Sequence, residues 1–547
     1  MSPSPDSLEE LIAGLSQPSA YPDHVTSVQV CQTHISLVFL TDSHVYKVKK
    51  PVSLPFLDFS TLELRQKFCQ EEVRLNRRLA PDVYLGVVPI YKTSSGLQIG
   101  DGKGPIVEWA VKMSRLPDQA MFLARLEHGT LTPEHVERLA RRITQFHQAA
   151  KLPAADPKAA RIYRHGEFAQ VASAIRDNLA FARQQVGRSI DSIVYERLQA
   201  ATEETLQRLK PLINRRVTEG MIRDLHGDLH LDHVYLFDDR PAPADLVIID
   251  CIEFNEAFRW IDVVADMAFC VMDFQFRGRR DLARIFCQSY FEASADTEGR
   301  ELLPLYTAYR AAVRGKVDGI LSMEAEVPAA QRQAAAMRST AYWLLALGEL
   351  ESTDQRPALV LVSGLPGTGK STLARGLADS LNFQWIRSDV VRKQLAHADG
   401  VAASSTKGDY QSGIYTREWT DRTYAECLRQ ATEALRRGGR VIVDATFAED
   451  HRRQQFLTCA IQLGVPATWL VCDASPEVVR SRLSQRTNDV SDADWSVHLQ
   501  AAAAWQPAGT LSQRQMATID TNGQPSTVLN QAIQVLAGIS VGSDCVR

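Results

Sequence analysis

Between Val25 and Val48 apolar and polar residues alternate through VTSVQV, HISLVFLT and HVYKVKK. This two-residue period belongs to half-buried strands, and polar turns such as Thr41-Asp42-Ser43 make the set an expected antiparallel meander. A short amphipathic helix is expected before it, within residues 1 to 24. From Thr61 to Leu79 the period becomes helical, with Phe68, Leu75 and Leu79 on one stripe, and Pro81 ends the element. Strands are expected at Val83–Ile90 and Ile106–Met113, and helices from Thr132 to about Pro211. Two strand-like runs follow, HVYLF near Val234 and LVIID ending at Asp250, and helices dominate from Phe258 to Leu350.

A polar, Pro-terminated stretch, Glu351 to Pro357, then changes the texture. Beyond it, short apolar runs (ALVLVSG, QWIRSD, RVIVDATF, ATWLVCD) alternate with helical segments, one of them from about Thr416 to Arg437 and stopped by Gly438-Gly439. That alternation predicts a doubly wound parallel sheet. The chain therefore reads as an α+β domain over 1–352, a linker at 353–357 and an α/β domain over 358–547.

Composition adds exclusions. The 547 residues exceed what one domain needs, and 45% hydrophobic with 23% charged residues is ordinary globular usage. Lys+Arg 61 against Asp+Glu 65 gives a net charge of -4, which argues against a wholesale nucleic-acid binder. The nine cysteines show no C-x-x-C pair, as expected of reduced thiols without a zinc site. No apolar run approaches 18 residues and the N-terminus lacks the features of a signal peptide, so a cytoplasmic protein with no membrane partner is expected.

The strongest motif is Gly364-Leu365-Pro366-Gly367-Thr368-Gly369-Lys370-Ser371-Thr372, which satisfies G-x-x-x-x-G-K-[ST] between a strand and a helix. Its glycines let backbone N–H groups turn toward phosphate oxygens, Lys370 supplies a charge for the β- and γ-phosphates, and Ser371 can ligate Mg2+. The alternative is a plain strand-to-helix turn. Asp389, about twenty residues past the lysine, can accept the proton of an attacking hydroxyl, or can simply cap the helix VVRKQL. Arg392, one turn later, can hold an anionic or polyol substrate. Asp444 ends a strand where a carboxylate would hold the Mg2+ shell, or caps the following turn. Arg482 and Arg486, four apart, can close over a phosphoryl group as a lid or form a solvated basic face. Polar residues between Ala398 and Gly413 read as a loop over this site.

Together, GLPGTGKST, SDVVRKQL, VIVDATF and RSRLSQR resemble the small P-loop kinases of the gluconate-kinase, zeta-toxin and polynucleotide-kinase-like group, often described as AAA-type ATP-binding domains. The resemblance runs from about Ala358 to the C-terminus. It implies a substrate-activating base at Asp389 and a lid at Arg482 and Arg486.

A second concentration of chemistry lies at Arg223–His233, RDLHGDLHLDH, followed by Asp250 at a strand end. A His-Gly-Asp turn with a downstream strand-end Asp resembles the arrangement in protein-kinase-like folds, which would make Asp228 the base and Asp250 the metal ligand. A turn merely rich in His and Asp is the alternative. Lys47 and Lys49 share one strand face. Glu72 sits on the apolar stripe of its helix, where a carboxylate needs a partner. A Lys47–Glu72 pair meets that need, with Lys49 and Glu71 as alternatives. The order Lys, Glu, Asp, Asp, with HGDLH and IDCIEFN…RWIDVVADMAF, resembles the aminoglycoside phosphotransferase family over roughly residues 30 to 345. The resemblance implies a small lobe at about 25–115, a helical lobe at about 116–350, a catalytic Asp228, a Mg2+-binding Asp250 and a structural acid at Asp266. The family's Asn five residues after the catalytic Asp, a metal ligand, is His233 here. No Gly-rich loop appears between Val25 and Val45.

The whole chain looks like bacterial proteins that fuse such a domain to a P-loop kinase domain. The expected function is transfer of the ATP γ-phosphate, with Mg2+, to a hydroxyl of a small-molecule acceptor. The alternative makes the N-terminal domain a kinase-like ligand-binding module that gates the second. An ATPase switch on protein or nucleic acid is disfavoured by charge balance and by Asp389.

Overall fold

The computed structural model describes residues 8–153, 155–400, 413–485 and 494–538. Its contacts separate two compact units. One comprises Met1–Val171, Pro211–Asp273 and Ile285–Thr297, and the other Ala172–Lys210, Phe274–Arg284 and Glu298–Arg547.

The first unit holds a six-stranded antiparallel sheet in the order Gln29–Gln32, Ser36–Leu40, His44–Lys49, Ile106–Ser114, Tyr84–Thr93, Gly96–Ile99. The meander read from alternation is present, and the strand Gly96–Ile99 is added at its edge. Side-chain alternation gives the strand His44–Lys49 two jobs. Tyr46 and Val48 pack with Leu37, Phe39 and Ile90 under Leu11 and Leu15 of the helix Leu8–Leu15. Lys47 and Lys49 point the other way, toward the helix Leu62–Asn76. That helix starts where the Thr61 hydroxyl accepts the Leu64 N–H at 3.2 Å, a cap in the ordinary sense.

In the helical half of this unit, the strand Ile222–Asp224 pairs antiparallel with Trp260–Asp262, and Val234–Leu236 pairs with Leu246–Ile248. The His-Gly-Asp turn hangs between these two small ladders. Their footing is a buried guanidinium. Arg216 bonds Asp262 through Nε at 2.6 Å and Asp296 through Nη1 at 2.8 Å, with Arg216 only 1% exposed.

The second unit is built on a five-stranded parallel sheet ordered Gln384–Arg387, Arg440–Asp444, Ala358–Ser363, Ala467–Asp473, Met516–Asp520. Its apolar strands read from the sequence are all there; Met516–Asp520, flanked by polar residues, gave no such signal. Val360, Val362, Ile442 and Leu470 fill the layer against Leu373 and Leu377 of the helix Lys370–Leu381. Register aligns the C-terminal strand ends, pairing Val362 and Arg387 with Asp444. The phosphate loop, Asp389 and Asp444 therefore emerge along one edge, the usual ligand crevice of such sheets.

The second compact unit also takes in Ala172–Lys210, Phe274–Arg284 and the chain from Glu298 onward, so it begins well before the stretch 353–357. Helices before that point pack with the parallel sheet's unit: Arg197 donates to the Gly438 carbonyl at 2.7 Å and pairs with Glu351 at 2.7 Å. A Cβ on Gly464 would stand 2.3 Å from the Ala341 carbonyl oxygen, so that loop lies directly on the helix Ala329–Leu350. Linker composition marks a change of sequence texture, whereas compactness follows which apolar faces meet.

Removing the Arg216 guanidinium takes the shared counter-charge away from two buried carboxylates, and Arg216→Ala is expected to cost about 3–5 kcal/mol. The measurement is the urea midpoint of the transition that reports the first unit.

Candidate active sites

In the first unit, Glu72 is fully buried and takes both lysines. Its Oε1 lies 3.0 Å from Lys47 Nζ and its Oε2 2.7 Å from Lys49 Nζ. Lys47 also pairs with Asp250, and Lys49 with Glu253. The result is a chain of alternating charge, Asp250–Lys47–Glu72–Lys49–Glu253. Either lysine was a candidate for Glu72 on sequence grounds, and the structure uses both. Glu71 instead pairs with Arg74 at 2.5 Å. Glu253 was not identified from the sequence; an acid in the run IDCIEF, three residues past Asp250, was the available signal.

The segment after Asp250 is stitched to the sheet half by further bonds. The Asp250 N–H donates to the Tyr84 hydroxyl at 3.1 Å, and the Cys251 N–H to Asn76 Oδ1 at 2.8 Å. Asp250 itself has φ 66, a left-handed conformation that Asp tolerates better than most residues. Burial would raise its carboxyl, but Lys47 and His233 overcome that and hold it down at about 2. Burial dominates at Glu253 and raises its carboxyl despite Lys49.

The His-Gly-Asp turn is held by Asp266, the acid that the family resemblance makes structural. Asp266 accepts the His226 N–H at 3.2 Å and the Gly227 N–H at 2.8 Å, and His147 Nε2 stands 3.1 Å away. Gly227 has φ 86, and a Cβ there would lie 2.7 Å from the Phe258 carbonyl oxygen, so only glycine fits. Asp228 then projects with a side chain 34% exposed. His230 Nε2 lies 2.9 Å from Asp228 Oδ1, and His233 Nε2 lies 3.8 Å from Asp250 Oδ2. Asp228, His233 and Asp250 thus converge as the sequence order implied. Burial opposes a charged His233, but Asp228 and Asp250 prevail and raise its proton affinity.

The two groups that could hold a cation here are a carboxylate and an imidazole. That donor set does not fit Mg2+, which prefers oxygen ligands throughout.

In the second unit, the phosphate loop wraps into the helix Lys370–Leu381. Gly364 has φ 140, and a Cβ there would lie 2.5 Å from the Cys472 carbonyl oxygen. Lys370 Nζ donates to the Leu365 carbonyl at 3.0 Å. Two outside residues brace the loop. His498 Nδ1 lies 2.8 Å from the Pro366 carbonyl oxygen, and the Thr521 hydroxyl lies 2.7 Å from the Thr368 carbonyl oxygen. Neither was identified from the sequence, because both meet the loop from elements distant along the chain.

The Ser371 hydroxyl donates to Asp444, whose carboxyl burial raises above its usual range against the pull of Lys370. Both are oxygen donors, so this pair fits Mg2+. Arg482 donates through Nη2 to the Thr521 carbonyl at 2.6 Å, and its buried Nη1 has no hydrogen-bond partner among the described residues. A Cβ on Gly369 would stand 3.5 Å from that Nη1. The guanidinium therefore lies against Gly369 of the phosphate loop with a buried donor to spare. Arg486 and residues 401–412 of the expected loop lie outside the described residues.

Asp389 sits inside the first turn of the helix Ser388–Ala398, whose cap position is Arg387, so it is not the cap. It lines a cavity of about 1040 Å³ together with the phosphate loop, Arg392, Tyr415, Asp444 and Arg452. Arg392 spends Nη1 on the Ile414 carbonyl at 2.9 Å, which orders the cavity wall, while its buried Nε has no partner among the described residues. Arg387 and Arg452 were not identified from the sequence; Arg452 pairs with Asp421 at 2.8 Å.

Among the described residues no helix is long and apolar enough to cross a membrane. The sequence model of the phosphotransferase enzyme family matches residues 57–303, and that of an AAA domain matches residues 359–508. Uncharacterized protein Rv2004c of Mycobacterium tuberculosis is 32% identical over 512 residues, 93% of this chain and 95% of its own length. Uncharacterized protein Mb2027c of Mycobacterium bovis matches to the same extent, 32% over 512 residues. Solved structures with local likeness include a sugar kinase from Janibacter sp. HTCC2649 (16% identity, 34% of this chain, 98% of that chain, TM-score 0.26). A gluconokinase from Sinorhizobium meliloti 1021 is another (15% identity, 34% of this chain, 94% of that chain, TM-score 0.26).

Because Asp266 is fully buried with its carboxyl held at about 2 by burial outweighed by hydrogen bonds and charge, it adds stability that is complete above the unfolded value of about 4. That stability is lost as pH falls through about 2. Asp266→Asn is expected to lower the stability of the first unit at neutral pH and to flatten its acid limb between about pH 4 and 2. Stability measured against pH by tryptophan fluorescence checks this.

Proposed function

We propose that the chain, which belongs to the two-module family joining a phosphotransferase-enzyme module to an AAA module, transfers the ATP γ-phosphate to a hydroxyl of a small molecule in its second unit. The observation that carries the reading is one continuous cavity. Its lining brings together the phosphate loop, Arg482, Asp444, Asp389 and Arg392.

The backbone N–H groups of Gly367–Ser371 and Lys370 would bind the β- and γ-phosphates. Asp389 would take the proton of the acceptor hydroxyl as its oxygen bonds the γ-phosphorus and the bond to the ADP oxygen breaks. Arg482, already desolvated and anchored at Thr521, would offer Nη1 to the charge that develops on the transferred group, without reorganisation. Mg2+, where Ser371 and Asp444 would hold it, would neutralise phosphate charge. Arg392 would hold the acceptor and fix the wall that it bonds.

A second reading concerns the first unit. There Lys47 is engaged by Asp250 and Glu72 together, and the cation position offers an imidazole, which favours ligand binding or regulation over phosphotransfer. Lys370→Ala and Asp228→Ala separate the two. Loss of ATP turnover in the first variant with retention in the second assigns turnover to the second unit alone.

Lys370→Ala is expected to abolish ATP binding by the second unit, and unchanged affinity in calorimetry overturns the cradle assignment. Arg482→Ala is expected to lower kcat by about 10²–10³ with ATP affinity less affected. Asp389→Ala is expected to retain ATP binding and to lose transfer of label from [γ-³²P]ATP to hydroxyl acceptors. A panel of sugars, nucleosides, lipid headgroups and aminoglycosides would supply the acceptor.

A further inference from the structure

The phosphate loop contains a turn whose direction its own sequence does not choose. The Thr368 N–H donates to the Leu365 carbonyl at 3.3 Å, which closes a β-turn with Pro366 and Gly367 at its centre. The ring of Pro366 fixes its φ, which suits the first central position of type I and type II turns alike. These two types differ by a half-turn of the central peptide, and glycine at the second central position accepts both. Gly367 has φ 82, the type II form. The C=O and N–H of a trans peptide point to opposite sides. The direction of the Gly367 N–H is therefore set by whatever holds the Pro366 carbonyl.

His498 holds it. Its Nδ1 lies 2.8 Å from the Pro366 carbonyl oxygen, and because a carbonyl oxygen only accepts, Nδ1 carries the hydrogen. The ring is itself held in place. It stacks on Trp495 with centroids 4.8 Å apart and planes 10° from parallel, and the Arg480 guanidinium lies 4.4 Å from the Trp495 ring centroid. His498 is 8% exposed and does not line the cavity, whereas Pro366, Gly367, Val497 and Ala501 do. The helix Trp495–Ala503 thus walls the cavity with one face and fastens the loop from outside with a residue of another.

We propose that His498 is a positioning residue of the phosphate cradle: by fastening the Pro366 carbonyl on the outside, it keeps the turn in its type II form and aims the Gly367 N–H at the phosphate tail. In the type I form the same peptide turns its carbonyl oxygen toward the tail, so a donor is exchanged for a repelling acceptor. The proposal rests on the reading of the second unit as a nucleotide site, and it requires binding of the tail only, not transfer. Thr521 makes a similar outer bond to the Thr368 carbonyl, but its one hydroxyl hydrogen is shared with the Asp473 carbonyl, also at 2.7 Å. The test is therefore made at His498.

Binding of ADP and of inorganic tripolyphosphate to the full chain is measured by calorimetry, with Lys370→Ala marking the share that belongs to the second unit. His498→Phe keeps an aromatic ring against Trp495 and removes the donor, and tail affinity is expected to fall by about tenfold or more. His498→Asn lacks the ring but places an amide N–H where Nδ1 stood, and it is expected to recover most of that loss. Unchanged affinity in His498→Phe overturns the proposal. An equal loss in both variants also overturns it, because the ring's packing and not its hydrogen bond is then the cause. A measurement on the wild type guards against variants that fail to fold. In the chain labelled with nitrogen-15 histidine, the His498 Nδ1 resonance, located by its absence in His498→Asn, is expected to be that of a protonated nitrogen, and an unprotonated Nδ1 refutes the proposal. A wild type that binds neither probe sinks the cradle reading and this proposal with it, whereas binding that survives loss of the donor sinks the proposal alone.

Discussion

One buried carboxylate organises the first unit. Glu72, with no exposure, is stable as an anion only because Lys47 and Lys49 both reach it from a single strand. Each lysine in turn needs a second partner, and Asp250 and Glu253 supply it from the segment that follows the His-Gly-Asp turn. The requirement that buried charges be paired therefore does more than stabilise. It brings the sheet and the helical half into register, because these pairs cannot all close unless the strand, the helix Leu62–Asn76 and the segment 250–253 meet. Neutral bonds from Tyr84 and Asn76 to the same segment add direction to what charge alone leaves loose.

The two sites solve opposite electrostatic problems. In the first unit the charges satisfy one another, so an entering anion or cation competes with partners already present. The second unit leaves donors open: Arg482 Nη1 and Arg392 Nε are buried without partners among the described residues, beside a loop of inward-turning N–H groups. A buried donor without a partner is costly, and the cost is removed when an anionic group arrives. This is the preorganisation expected of a site that stabilises charge developing in a transition state. The contrast explains why the phosphotransfer reading rests on the second unit.

Much of this was legible along the chain. The phosphate loop, the strand ends at Asp444 and Asp250, and the pairing need of Glu72 are local signals, set by period and spacing. The choice between Lys47 and Lys49 was not, because sequence spacing puts both on one face and only the path of the segment after Asp250 gives each its second carboxylate. Thr521 and His498 were invisible for a related reason. They brace the phosphate loop across gaps of 153 and 132 residues, through a strand with weak apolar character and a helix with no distinctive motif. The seat of the helix Ala329–Leu350 was likewise not legible, because its apolar residues name no neighbour; the close approach of Gly464 to Ala341 does.

His233 shows how a single departure from a family pattern can be absorbed. An Asn side chain offers an amide hydrogen and, one atom away, an oxygen. The imidazole offers a ring hydrogen at Nδ1 and, across the ring, a nitrogen lone pair. The first function is the one the turn requires, since the Asp228 carbonyl needs a donor, and the ring meets it at 2.8 Å. The second falls to Nε2, which faces the Asp250 carboxylate at 3.8 Å. Loop closure and the contact with Asp250 are thus borne by two different atoms of one residue. That separation lets the ring fasten the turn at the Asp228 carbonyl while its far nitrogen stays beside a carboxylate.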